Sequence, residues 1–177
     1  MKRILAFSGS LSNDSINHKL VTYVSELFVE TEVIIVKLAD YPAPLYSKEE
    51  EQTNGVPANI QKLHELFSRA DAFLISTPEY NSSIPGGFKN ILDWISRMEG
   101  KIFQNKPTLL MSTSPGGRGG SSVLSHLSTV FPYWGADLIA TFSLPMFHTN
   151  FGEAGLTNEY QNELLKNVEA LNAKLFV

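Results

Sequence analysis

The chain of 177 residues is 43% hydrophobic and 18% charged, the make-up of an ordinary globule long enough to bury a core as one domain. Its formal charge of −4 argues against a nucleic acid or an anionic membrane as partner, because both call for a basic face. The absence of cysteine excludes disulfides, thiolate metal sites, cysteine nucleophiles and thiol redox relays together.

Residues 3–8 read as the first strand, with Ile4, Leu5, Ala6 and Phe7 in a continuous apolar run. No apolar stretch resembles a signal peptide or reaches transmembrane length, so a cytoplasmic protein is expected. Residues 9–17, Gly-Ser-Leu-Ser-Asn-Asp-Ser-Ile-Asn, lead into a helix carrying Leu20, Val21, Val24, Leu27 and Phe28 on one face. Free amides and the dipole at such a helix start make an anion site, to which the hydroxyls of Ser10, Ser12 and Ser15 can add donors. Asn13 and Ser15 would serve equally well as a turn and an N-cap. The stretch is not G-x-G-x-x-G, so the dinucleotide fingerprint is absent.

Residues 33–38 form a second strand rich in β-branched side chains. Residues 40–55 read as one long loop, with Pro42, Pro44, Tyr46, the acidic run Glu49, Glu50 and Glu51, and an Asn54-Gly55 turn. A loop of that length inside a compact domain points to function or mobility, and the acidic run to a solvated face. Pro57 fits the first position of a helix bearing Ile60, Leu63 and Phe67.

Ala72-Phe-Leu-Ile75 is a buried strand, and Pro78 stops it because proline gives no hydrogen to the ladder. Pro85, Gly86 and Gly87 open a helix with Phe88, Ile91, Leu92, Ile95 and Met98 at helical spacing. Between the two lies a polar loop with Glu79 and Tyr80. A corner at the carboxyl end of a parallel strand is where open α/β sheets bind ligands, although the same residues also suit a plain turn.

The fourth strand spans 107–113. Residues 114–122, Ser-Pro-Gly-Gly-Arg-Gly-Gly-Ser-Ser, then open a helix with Val123, Leu127, Val130 and Phe131. Glycines there let the backbone approach a planar ligand. Arg118 is either a surface charge or a contact to a dinucleotide phosphate. Residues 137–142 form a fifth strand, and 147–155 are irregular. A last helix starts near Asn158, apolar at Leu164, Leu165, Val168 and Leu171. The alternation implies an α/β fold, one parallel sheet covered by helices on both faces. His18, His64, His126 and His148 lack metal-ligand spacing, and no G-x-S-x-G elbow occurs, which disfavours a metal site and a serine hydrolase.

Thr77-Pro-Glu-Tyr-Asn-x-Ser-Ile-Pro-Gly-x-x-Lys-Asn-x-x-Asp-Trp94 resembles the signature of the NADPH-dependent FMN reductase family. The resemblance implies a flavodoxin-like fold, a five-stranded parallel sheet in the order 2-1-3-4-5, as a single flavin-binding domain over residues 1–177. The family's first loop is similar to Gly-Ser-x-Arg-x-x-Ser-x-Asn. Here Gly9, Ser10, Ser15 and Asn17 match, while Ser12 stands where the family has arginine. By that resemblance Ser10, Ser12, Ser15, Ile16 and Asn17 hold the FMN phosphate end. Pro78, Glu79, Tyr80 and Asn81 frame the isoalloxazine, and Ser114, Gly116, Gly117 and Gly119 close its other side. The chemistry is then borne by the cofactor and needs no catalytic side chain. Hydride passes from NADPH or NADH to flavin N5, and electrons go on to a small-molecule acceptor (a quinone, free flavin, azo compound or oxidised metal ion) in ping-pong fashion. The alternatives are an FMN electron carrier of flavodoxin type and a flavin-free binding module.

Trp94 at the edge of its helix's apolar face, and the aromatic run Phe131-Pro-Tyr-Trp134, suggest exposed apolar surface and hence a homodimer or a homotetramer of two dimers. Replacing Glu79 or Asn81 by Ala is expected to weaken FMN binding or turnover with little change in the melting temperature of the apo protein.

Overall fold

The computed structural model describes residues 1–153 and 155–176; residues 154 and 177 fall outside that description. In chain order the elements are β1 (Lys2–Ser8), α1 (Ile16–Ser25), β2 (Thr31–Lys37), α2 (Lys48–Asn54), α3 (Ala58–Arg69), β3 (Ala72–Ser76), α4 (Gly86–Ile95), β4 (Lys106–Thr113), α5 (Ser121–Val130), β5 (Ala136–Leu144), α6 (Phe147–Asn150), β6 (Phe151–Gly152), β7 (Gly155–Leu156) and α7 (Asn158–Leu175). Strands β1 to β5 form one sheet in the order β2-β1-β3-β4-β5, and all four pairings are parallel.

Alternation along β1 divides the core. Leu5 and Phe7 point to the side covered by α3, α4 and α5, where Phe67, Phe73, Phe88, Phe103 and Phe131 pack together. Ile4 and Ala6 point to the side covered by α1 and α7, among Leu20, Val24, Leu164 and Leu171. The central strand β3 is buried at every position, as a parallel strand covered on both faces must be.

Several expectations need correction. Residues 40–55 are not one loop: a 3-10 turn at Leu38–Asp40 precedes α2, and Ser47 caps α2 by accepting from the Glu50 amide at 3.0 Å. The acidic run sits in the first turn of α2, where the helix dipole favours it. Glu51 is not merely solvated, because it takes the Arg97 guanidinium at 2.9 Å and the Tyr46 hydroxyl at 3.1 Å. Trp94 is fully buried rather than at an exposed edge: residues 44–46 fold over it, its indole Nε1 donates to the Pro44 carbonyl at 2.8 Å, and Tyr46 packs edge-on at 5.1 Å. Asn90 fastens the same strap by accepting from the Tyr46 amide at 2.8 Å and donating to the Pro44 carbonyl at 3.0 Å.

Helix α4 ends at Ile95, so Met98 lies past its last turn. Within 147–155, the described residues form α6 and the β6–β7 pair instead of irregular chain, residue 154 lying outside the description. Leu165 is 37% exposed, on the edge of α7 rather than in the core. Strand β5 runs longer than expected and pairs with β4 across a register shift at Thr108/Leu109.

Candidate functional site

Parallel strands send the loops after β1, β3 and β4 to one edge of the sheet, where they surround a cleft of about 290 Å³. Ser10, Ser12, Ser15, Ile16, Asn17, Pro78, Glu79, Tyr80 and Ser114 line it. Asp14, Thr113 and Pro115 line it too and were missed; the end of a strand running into a glycine-rich stretch was the available signal for Thr113 and Pro115. Asn81, Gly116, Gly117 and Gly119 do not line the cleft.

Each loop is held by polar ties. Asn17 is the junction of all three. Its Oδ1 accepts from Ser76 Oγ at 2.8 Å and from the Thr113 amide at 3.0 Å, and its Nδ2 donates to the Thr113 carbonyl at 3.0 Å. Asn17, Ser76 and Thr113 are all buried, so these bonds are sheltered from solvent. Asn17 therefore fixes the cleft more than it decorates it. In the first loop Ser8 Oγ accepts from the Ser10 amide at 3.1 Å, and Ser10 Oγ accepts from the Ser12 amide at the same distance. Ser15 caps α1, its Oγ accepting from the His18 amide at 3.2 Å. Gly9 has to be glycine: a Cβ there would stand 2.4 Å from Thr77 Oγ1 and 2.8 Å from the Phe88 ring.

The amides of Ile16 and Asn17, at the start of α1, have no acceptor among the described residues. They form, with the neighbouring hydroxyls, an open anion cradle. Its charged neighbours are Asp14, Lys19 and Lys37, the last of which lines a groove with Ser8, Ser10 and Ser12. Lys19 is paired with Asp14 at 2.7 Å, which holds the Asp14 carboxyl below its usual range. Burial, and secondarily the nearby Lys37, push His18 below the usual imidazole value.

The loop after β3 ends in a tight hairpin. Tyr80 and Ser83 exchange both backbone hydrogen bonds, at 3.1 and 3.0 Å, across Asn81 and Ser82 at φ 51° and 62°. Two successive positive φ values define a type I′ turn, which asparagine tolerates better than most residues. Asn81 thus shapes the loop from its tip, while Tyr80, 50% exposed, stands at the mouth of the cleft.

The wall after β4 is fixed at its base, where Ser112 Oγ donates to the Thr77 carbonyl at 2.6 Å. Gly120, at φ 75°, lies flat against Ser112, leaving no room for a Cβ. Gly119 is explained in the same way by Ser143 and Pro145 of the β5 side, not by a ligand. Gly116 and Gly117 are exposed at the loop tip, as is Arg118, which donates to Ser122 Oγ at 2.6 Å. Glu79 crosses between the walls: its Oε2 accepts from the Ser122 amide at 2.8 Å and from the Val123 amide at 3.0 Å. The start of α5 is thereby capped by a residue 43 positions away. Replacing Glu79 by Ala therefore removes a helix cap, and the melting temperature of the apo protein should fall by more than the sequence alone implies.

Among the described residues no helix is long and apolar enough to cross a membrane, and no group of three or more His, Asp or Glu side chains is placed to hold a metal ion. A parallel sheet in this order, with a hydroxyl-rich anion cradle after its first strand, defines a flavodoxin-like protein. Comparison narrows the class. The family described as NADPH-dependent FMN reductase matches residues 2–149, and the chain belongs to that family. It is an oxidoreductase working with FMN and NAD(P)H. The quinone reductase of Escherichia coli K12 is 31% identical over 131 residues, 74% of this chain and 70% of that protein. A quinone reductase of Pseudomonas putida is 39% identical over 114 residues, 63% of this chain and 60% of that protein. The solved structure of FerB, a flavoenzyme NAD(P)H:(acceptor) oxidoreductase from Paracoccus denitrificans, superposes with a TM-score of 0.80 at 28% identity, covering 99% of this chain and 98% of that one.

Proposed function

We propose that the chain is one flavin-binding domain over residues 1–177 that takes reducing equivalents from NADPH or NADH and delivers them to a small organic acceptor, a quinone first among them, in ping-pong order. The observation that carries this reading is the contrast between the two helix starts at the cleft. Glu79 occupies the amides of Ser122 and Val123 in α5, while among the described residues those of Ile16 and Asn17 in α1 have no acceptor, so of the two helix starts it is the one in the first loop that offers a phosphate its donors. That donor set fits FMN in one orientation: the phosphate beside Ser10, Ser12 and Ser15, and the ring system between the Pro78–Tyr80 wall and Ser114. FMN held there would supply the redox chemistry, a hydride acceptor and electron donor that the side chains themselves lack.

The residues of the chain orient and enclose. Asn17 keeps the three loops in register, Tyr80 borders the mouth where nicotinamide and acceptor enter in turn, and the buried Thr77–Ser112 tie keeps the floor dry. No side chain in the cleft is required to move a proton. The quinone reductase relatives and FerB support a quinone-like acceptor. The protein should be yellow as purified or after addition of FMN, bleach with NADPH under nitrogen, and regain colour when a benzoquinone is added. Colour that NADPH does not bleach would indicate an electron carrier instead, and no uptake of FMN a flavin-free module.

A cytoplasmic homodimer, or a homotetramer of two such dimers, completes the proposal. Its support no longer includes Trp94. It rests on exposed apolar side chains, Leu11 at 44% and Leu45 at 81% along a groove beside α4, and Tyr133 at 78% beyond α5. Sedimentation at micromolar concentration should give twice the chain mass or more; monomer alone would overturn the assembly.

A further inference from the structure

We infer that Glu79 is a positioning residue: by capping α5 it braces the loop after β3 against the loop after β4 and so sets the width of the flavin cleft. The inference rests on the flavin reading above and gives Glu79 a role other than contact with the ring. Helix α5 has no cap of its own, because its N-cap residue is Gly120, in the left-handed region and without a side chain. The Ser121 amide is met by the Arg118 carbonyl at 3.0 Å, and Leu124 makes the first helical bond, to Gly120, at 3.0 Å. Ser122 and Val123 would be left as orphan donors. One oxygen of Glu79 satisfies both, and its negative charge sits where the helix dipole favours it.

The geometry makes this more than a local cap. Pro78 precedes Glu79 and Tyr80 follows it, so the residue is flanked by cleft wall on both sides. At the floor the two walls are joined by Ser112 Oγ and the Thr77 carbonyl. Above the floor, Glu79 is the side chain that joins them among the described residues. With both ties the walls keep one separation; with the lower alone, the upper wall can hinge about Thr77. A site whose walls are already spaced for a planar ring loses less freedom on binding it.

Two substitutions separate position from charge. Glu79→Ala removes the acceptor, whereas Glu79→Gln keeps an acceptor oxygen of the same reach and removes the charge. In Glu79→Ala, hydrogen exchange at the Ser122 and Val123 amides should quicken by about fivefold, and FMN should dissociate about fivefold more readily, as loss of one cap implies. Glu79→Gln should return both quantities to within about twofold of wild type. Unchanged exchange in Glu79→Ala would overturn the brace. So would faster exchange with unaltered FMN affinity, since the cap would then not govern the cleft. If Glu79→Gln protects the amides yet holds FMN as poorly as Glu79→Ala, charge acts at the flavin and the positioning role fails. Wild-type protein that takes up no FMN would overturn the flavin reading, and this role with it, while the exchange comparison still reports on the brace itself.

Discussion

Asn17→Ala should lower the melting temperature of the flavin-free protein by about 6–12 °C. The substitution deletes three hydrogen bonds that join α1 to the ends of β3 and β4. The Ser76 hydroxyl can turn toward another acceptor. The amide and carbonyl of Thr113 cannot, and Thr113 is 1% exposed. Each buried polar group left unpaired costs about 1–3 kcal/mol, so a net loss of about 3 kcal/mol is expected once some water enters the vacated space. For a domain of this size about 2–4 °C accompanies each kcal/mol. FMN affinity should fall as well, because the first loop loses its anchor to the other two. Asn17→Asp tests the donor separately: it keeps the acceptor toward Ser76 and the Thr113 amide but sets a carboxylate against the Thr113 carbonyl, and it should also destabilise. Calorimetry of the apo proteins decides. A shift under 2 °C for Asn17→Ala would mean that the three loops do not depend on this side chain.

Ser12→Arg should tighten FMN about tenfold. The first loop offers amides, hydroxyls and a helix start to a phosphate carrying up to two negative charges. Lys19 is held by Asp14, Lys37 stands on the far side of Ser12 in a separate groove, and His18 is biased toward neutrality. A guanidinium hydrogen bond to phosphate contributes about 1.5–3 kcal/mol, and exposure and the competing carboxylate of Asp14 reduce that toward about 1.4 kcal/mol, which is tenfold. Riboflavin has no phosphate and should gain nothing. The advantage for FMN should shrink as salt rises, since the site is open and its Debye length contracts. Titrating apo wild type and Ser12→Arg with both flavins at low and high salt measures each part. Equal tightening of both flavins, or of neither, would place the phosphate elsewhere.

Segments that act through contiguous residues were legible in the sequence. Strand and helix positions follow from apolar periodicity, and the loops after β1, β3 and β4 announce themselves by composition, so the sheet order and most of the cleft lining were within reach. What was not legible depends on partners distant in the chain. Asn17 finds Ser76 and Thr113 at separations of 59 and 96 residues, and nothing in Asn17's own neighbourhood distinguishes a buried junction from a ligand contact. Glu79 reads as a charge aimed at a ligand until α5 is seen to start beside it. Trp94 has the spacing of a helix-edge residue, and its burial is decided by Pro44 and Tyr46, which belong to a segment that looked like loop. That segment hid α2 because Lys-Glu-Glu-Glu-Gln-Thr-Asn has no apolar face to give it a period; its cap and Glu51's partners hold it instead.

The strap over Trp94 gives the protein a built-in optical label. Its two indoles stand in different surroundings, Trp94 sealed under Pro44 and Trp134 partly open beside Phe131. A shielded indole emits at shorter wavelength than a hydrated one, so the blue part of the emission belongs to Trp94. Lifting residues 44–46 would wet that ring and break its bond to Pro44 while the sheet stayed intact. Partial opening beside α4 would therefore appear as a red shift of the emission at constant far-ultraviolet circular dichroism, distinguishable by eye of the spectrometer from unfolding of the whole chain.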